Sequence, residues 1–192
     1  RLQHDGDPEL EAHVIAAETK DSTHGERLHG RVPGSAKVDA CIAAGIPHSV
    51  RQFPHSDDHF GEEAAHWLGE HEGVAPERIF KTLVIDLHGK RTGLAVAVVP
   101  VTGRLNLKAA AKAFGASKAE LADPAAAQRS SGYVVGGISP LGQKRPLPTV
   151  VDSGARNHST IFVSGGRRGL DIELAPGDLA TLTGATFADI AG

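Results

Sequence analysis

Two apolar runs, Phe80 to Leu87 and Gly93 to Val99, are joined only through a short polar link containing His88, Gly89 and Lys90. So short a link cannot hold a crossover helix, so the runs read as the two strands of a hairpin and pair antiparallel. That excludes an all-parallel sheet. Helical and strand patterns are interleaved on both sides of the hairpin, so the expected fold is α/β, a single domain built around a mixed sheet.

Local signals divide the rest of the chain. Ser35 as an N-cap, Val38, Cys41 and Ile42 on one face, and Gly45 as a stop predict a first helix. Ser49 to Phe53 reads as a short strand, and Gly61 to Gly69 as a helix burying Ala65 and Trp67 or Leu68. Leu107 to Phe114 is helical with Gly115 as its stop. Ser117 to Leu121 continues that helical block, with Ser117 and Glu120 at capping-box spacing, and Asp123-Pro124 opens another helix. Tyr133 to Val135, Thr149 to Asp152, Thr160 to Ser164 and Leu170 to Leu174 are short β runs. A helix near Pro176 to Leu182 and a last segment at Thr186 to Ile190 complete the chain. Residues 1–34 are polar and show no periodic apolar face, so a disordered tail is expected there, followed by one domain over residues 35–192.

Charge and composition narrow the function classes. A formal net charge of −3 over 192 residues argues against a wide basic surface for nucleic acid, and no DNA partner is expected. Between Gly142 and Gly169, however, Lys144, Arg145, Arg156, Arg167 and Arg168 face only Asp152, so one face can be basic while the whole is acidic. No apolar run approaches the roughly 18 residues of a membrane span, and no membrane partner is expected. With one cysteine and no export-signal pattern, the expected location is the cytoplasm.

The stretch from Gly132 to Lys144, Gly-Tyr-Val-Val-Gly-Gly-Ile-Ser-Pro-Leu-Gly-Gln-Lys, is the most informative one. Glycines without Cβ let backbone approach a ligand and aim N–H groups at an oxyanion, although a structural turn explains the same spacing. It lacks the Gly-Lys-Ser/Thr ending of an ATPase phosphate loop. Ser164 to Gly169 is a second glycine cluster. Strand alternation resumes at Leu170, which favours a hairpin turn over a dinucleotide site. Lys81 heads an apolar strand and has either to reach solvent or to meet an anion. His55-Ser-Asp-Asp-His59 is a weak metal signal without a His-Glu-x-x-His pair or a second cysteine, so no metal or organic cofactor is expected. Cys41, inside an amphipathic helix, reads as a core residue rather than a nucleophile.

Phe80-Lys81-Thr82-Leu83, Val98 to Val101, Leu105 to Lys108, Ala122-Asp123-Pro124, Gly132 to Pro148 and Ser164 to Leu174 together resemble the bacterial Cys-tRNA(Pro) deacylases of the YbaK type, which are related to the editing domain of prolyl-tRNA synthetase. The resemblance runs from about Ser35 to the C-terminus. It implies a barrel-like mixed sheet flanked by helices and hydrolysis of mischarged Cys-tRNA(Pro), in transient association with prolyl-tRNA synthetase. It places catalytic roles on Lys81, Gly136 and Ser164, and substrate contacts on Phe53, Thr82, Gly137, Ile138, Ser139, Pro140 and Asp171. Phe53 stands where the family often has a tyrosine. Lys144, Arg145, Arg167 and Arg168 are the expected tRNA contacts. The substrate's own thiol is the implied nucleophile. The alternatives are a deacylase for Ala-tRNA(Pro) or another small aminoacyl-tRNA, and a non-catalytic tRNA- or synthetase-binding module. Lys81 and the glycine loop speak against the second.

Overall fold

The computed structural model describes residues 15–16, 40–41, 43–55 and 60–192. Among these, β1 (Ile15–Ala16), β2 (His48–Gln52), β8 (Leu170–Leu174) and β7 (Ile161–Arg167) lie in that order in one antiparallel sheet. The other sheet runs β5 (Lys118–Leu121), β3 (Phe80–His88), β4 (Gly93–Pro100), β6 (Thr149–Asp152) and β9 (Thr186–Ala188). Its centre is the hairpin that the sequence demands, with β3 and β4 antiparallel from Phe80↔Pro100 to Leu87↔Gly93. Beyond β4, β6 and β9 add in parallel, so the sheet is mixed as expected.

Alternation along β4 sorts the molecule into layers. Val96 and Val98 face inward onto Val50, Ile161, Val163, Ile172 and Leu174 of the opposite sheet. Ala95, Ala97 and Val99 face outward onto Ala110, Ala111 and Phe114 of α2 (Leu107–Phe114). Behind the first sheet, α1 (Phe60–Glu72) sets Ala64 and Leu68 against Phe162 and Ile79. Each large side chain removed from water in these layers contributes about 1.5–3 kcal/mol. A parallel bridge between Ile79 and Phe162 ties the sheets together, giving a barrel-like arrangement flanked by helices.

Helix ends follow the sequence signals closely. Asn106 accepts the Ala109 N–H at the start of α2, which stops at Gly115 with φ 70°. Asp123 accepts the Ala126 N–H and Pro124 fills the first position of α3 (Pro124–Ser131). The last helix, α4 (Pro176–Thr183), buries Leu179. Of the first predicted helix, Ala40, Cys41 and Ala43 are helical and Gly45 is its left-handed stop, while Ser35, Val38 and Ile42 lie outside the described residues. Within the expected tail, Ile15 and Ala16 are in fact strand, pairing with Val50 and Ser49 of β2; the rest of the tail lies outside the described residues. Such pairing supplies partners to an otherwise open strand edge.

Two expectations are corrected. Ser117 to Leu121 is not helical: residues 118–121 form β5, with Lys118 opposite His88 and Glu120 opposite Asp86. The segment has a period of two, with Ala119 buried between exposed Lys118 and Glu120, and pairing with β3 outweighs the capping-box spacing. Nor is Tyr133 to Val135 a strand. Its apolar residues divide: Tyr133 is buried with its hydroxyl directed at the Leu141 and Gly142 carbonyls, whereas Val134 and Val135 are exposed in a turn.

Asp152 illustrates how the chain end is tied down. It is buried, one carboxylate oxygen accepting the N–H groups of Ile190 and Ala191 at 3.0 and 2.9 Å, the other accepting Gly154 N–H at 3.0 Å. Asp152→Ala leaves the buried Ile190 N–H without its acceptor and weakens two further anchors, for an expected loss of about 3 kcal/mol. Urea denaturation should show a lower midpoint at an unchanged slope. A loss below about 1 kcal/mol would contradict this account of the anchor.

Candidate functional site

Where the start of β3 meets β7 and β8, close to the Ile79–Phe162 bridge, lies a cavity of about 350 Å³ whose walls are mainly apolar. Four separate elements supply its polar groups: Lys81 and Thr82 from β3, Gly136 from the loop after α3, Ser164 from β7 and Asp171 from β8. Ser164 and Asp171 are directly opposed in the β7–β8 pairing, which brings them to the cavity side by side. Ile79, Val101, Leu121, Ala127, Val135 and Ile138 are among the apolar residues that line it.

Lys81 stays half-buried and meets no carboxylate among the described residues. Its half-buried Nζ donates to the Gly103 carbonyl at 2.9 Å, and Gly103 N–H in turn donates to Pro100 O. The ammonium is thereby held at the cavity by a backbone dipole, with donors left over. Thr82 Oγ1 is buried and has no hydrogen-bond partner among the described residues. Ser164 Oγ accepts the Gly166 N–H at 3.2 Å. Asp171 is buried, and desolvation pushes its carboxyl up to about 7.

The glycine loop is built for close approach. Gly136 has φ 89°, a conformation that side chains resist. Gly137 N–H donates to Val134 O at 3.0 Å and closes the turn. A Cβ on Gly137 would stand 2.9 Å from the Arg167 backbone and 3.0 Å from Arg168 N, so the loop lies directly on the β7–β8 hairpin. Ile138 anchors the other end among Val84, Ala127 and Tyr133. Ser139 and Pro140 are buried behind the loop and do not line the cavity; Ser139 Oγ accepts Leu141 N–H, and its carbonyl accepts Gln143 Nε2.

The hairpin turn expected at the second glycine cluster is present, displaced along the chain. Gly165 and Gly166 lie in a bulge of β7 between Ser164 and Arg167, and the turn falls at Arg168 and Gly169. Phe53 does not line the cavity. It stacks on Trp67 at 5.8 Å between ring centroids and borders a neighbouring cleft with His55, Val134, Arg167, Arg168 and Gly169. The basic residues separate into two groups. Arg167 and Arg168 edge that cleft, whereas Lys144 and Arg145 join Arg129 in another depression. Arg129 was missed because it lies in the last turn of α3, far in sequence from the basic segment.

Cys41 is fully buried, and burial, with a smaller contribution from Asp178, pushes its thiol up to about 11, so it is a core residue. Asp57, Asp58 and His59 lie outside the described residues. Among the described residues no three His, Cys, Asp or Glu side chains are grouped to hold a metal, and no helix is long and apolar enough to cross a membrane.

Comparison with known proteins places this geometry. The family model described as "Aminoacyl-tRNA editing domain" matches residues 62–182. The chain is 41% identical over 145 residues to a protein of Enterococcus faecalis assigned as a Cys-tRNA(Pro)/Cys-tRNA(Cys) deacylase, EbsC, covering 76% of this chain and 85% of that one. Among solved structures, one described as a trans-editing enzyme for prolyl tRNA synthetase matches with a TM-score of 0.68 at 26% identity, over 80% of this chain and 93% of the other. The hypothetical protein APE2540 matches with a TM-score of 0.70 at 27% identity, over 81% and 99%.

Asp171 yields a stability test. Folding raises its pKa, so the stabilisation relative to the unfolded chain is complete below the ordinary carboxylate range and is lost as pH rises toward about 7. Asp171→Asn removes the charge that is costly to bury. The variant should therefore exceed the parent in stability by on the order of 2–4 kcal/mol at pH 8 and match it within about 1 kcal/mol near pH 4. Thermal melts at the two pH values check this, and a difference independent of pH would show that Asp171 is not desolvated as described.

Proposed function

The chain belongs to the aminoacyl-tRNA editing domain family, and from that premise we propose that it deacylates mischarged Cys-tRNA(Pro) in trans, clearing the product of an error by prolyl-tRNA synthetase. One observation carries the reading: Lys81, Gly136, Ser164 and Asp171, from four separate elements, converge on one small apolar cavity, and the described residues that line it include no cysteine or histidine. An aminoacyl ester is already activated. A site that holds it, stabilises the oxyanion and admits a nucleophile has done what the reaction needs.

In this reading, Lys81 directs positive charge at the terminal ribose and phosphate of the tRNA. Gly137 N–H is engaged within its turn, and Gly136, which lines the cavity, offers its N–H to the developing oxyanion. The thiol of the cysteinyl group attacks its own ester carbonyl. Asp171, titrating near neutrality, accepts the thiol proton, which passes to the leaving ribose oxygen as the C–O bond breaks. The products are free tRNA and a cyclic thioester that opens in water. Ser164, beside Asp171, orients the amino acid. The tRNA backbone lies along Lys144, Arg145 and Arg167, with Arg129 joining the first two. Prolyl-tRNA synthetase is the partner that delivers the substrate, and the setting is the cytoplasm, where tRNA is charged.

Single-turnover deacylation at saturating enzyme, on Cys-tRNA(Pro) and Ala-tRNA(Pro), is the test. Cysteine should be released faster than alanine. Gly136→Ala both strains a backbone at φ 89° and displaces the donor, and losing one such donor typically costs roughly 10²–10³ in rate. Lys81→Ala should fall comparably. Arg145→Ala should weaken tRNA binding and flatten its salt dependence while the saturated rate is retained. Wild-type saturated rates in both Lys81→Ala and Gly136→Ala would dismiss the site.

A further inference from the structure

The peptide unit that carries the Gly136 N–H also carries the Val135 carbonyl, and that carbonyl is held by a side chain. Arg168, at the β7–β8 turn, donates to Val135 O through Nη2 at 3.1 Å and Nε at 3.4 Å. The preceding peptide is held as well, because Val135 N–H donates to Gln128 Oε1 at 3.0 Å. Gln128 sits on α3, where its own carbonyl accepts the Gly132 N–H that caps the helix. Val135 belongs to no strand, so these two side chains from different elements do for it what a neighbouring strand does elsewhere.

We infer that Arg168 and Gln128 are positioning residues that aim the Gly136 N–H into the cavity. The inference rests on the reading of Gly136 as oxyanion donor. In a trans peptide the carbonyl and the N–H point in opposite directions, and the described chain contains no cis peptide. Fixing Val135 O toward the Arg168 guanidinium therefore turns the Gly136 N–H the other way, while Gly136 itself lines the cavity. Without such a hold the Val135–Gly136 peptide can rotate, since glycine tolerates many ψ and φ pairs. The charge on Arg168 also polarises the peptide, which strengthens the N–H as a donor. Gly137, pressed against the Arg167 and Arg168 backbone, keeps the guanidinium and the carbonyl in reach of each other.

Arg168 also edges a cleft together with Arg167, so the experiment has to separate aiming from phosphate binding. Gln128 makes that possible because it is neutral. Single-turnover rates at saturating enzyme on Cys-tRNA(Pro), together with tRNA affinity at several salt concentrations, are measured for Gln128→Ala, Gln128→Glu, Arg168→Ala and Gly136→Ala. Arg168→Ala is expected to slow the saturated step roughly 10–100-fold and Gln128→Ala roughly 3–10-fold, in keeping with the cost of misplacing a catalytic group by about an ångström. Gln128→Ala should leave the affinity and its salt slope unchanged, and Gln128→Glu, which keeps an acceptor for Val135 N–H, should recover most of the saturated rate. Amide exchange at Val135 should quicken in Gln128→Ala with the melting temperature little changed. A wild-type saturated rate in Arg168→Ala, with only weakened, less salt-dependent binding, would overturn the positioning role while Gly136→Ala remains slow. If Gly136→Ala is also fast, the donor assignment falls and the positioning role falls with it.

Discussion

The closeness of the glycine loop to the β7–β8 hairpin sets the shape of the cavity, and that closeness depends on residue 137 having no side chain. Any Cβ there would meet the Arg167 and Arg168 backbone at 2.9–3.0 Å, and backbone in a paired hairpin has little room to yield. Lifting the loop to make room would also pull Ile138 from its place beside Val84 and Tyr133, opening the floor on which the loop rests. Tyr133 secures the same loop from below through the Leu141 and Gly142 carbonyls. Loop, hairpin and α3 therefore act as one packed unit around Gly136, and the distance from Gly136 to Ser164 and Asp171 follows from that packing.

Two carboxyls on β8 show where stability has been given up. Asp171 and Glu173 are two residues apart on one strand and so project to the same side of the sheet. Desolvation presses upward on Glu173, but hydrogen bonds from Thr160 and Ser49 and the charges of Arg51 and Arg78 outweigh it and hold its pKa below the usual value. Arg51 is itself paired with Glu72 of α1, at 2.7 Å, so this end of the sheet carries a connected network of partners. Asp171 receives no such support among the described residues, and desolvation raises it to about 7. Near it, Thr82 Oγ1 is buried without a partner among the described residues. The contrast between a fully satisfied Glu173 and an Asp171 and Thr82 without partners among the described residues supports the proposed site.

What could be read from the sequence was what short-range chemistry decides. The hairpin at His88 to Lys90, the Asp123-Pro124 helix start and the stop at Gly115 depend on a few adjacent residues, and the structure has them in place. Lys81, Thr82, Gly136, Ile138, Ser164 and Asp171 were legible through the family resemblance, and all six line the cavity. Ser117 to Leu121 went wrong because the free edge of β3 recruits it as a strand, a fact that lies thirty residues away from it in the chain. Phe53 went to a neighbouring cleft because Trp67 of α1 offers its ring a stacking partner on the outer face of the sheet.

The least legible contacts are those in which a side chain holds a backbone group. Lys81 finds the Gly103 carbonyl, Arg168 the Val135 carbonyl, and Gln128 the Val135 N–H. Every residue carries a carbonyl and nearly every one an N–H, so nothing in the identity of Gly103 or Val135 announces that it will be used. Only the fold selects which backbone group comes within hydrogen-bonding distance of which side chain. These three contacts all concern groups at the cavity: the ammonium of Lys81 and the peptide leading into Gly136. Residues that supply chemistry can be found by type and spacing, whereas residues that aim it become visible only when the chain has closed on itself.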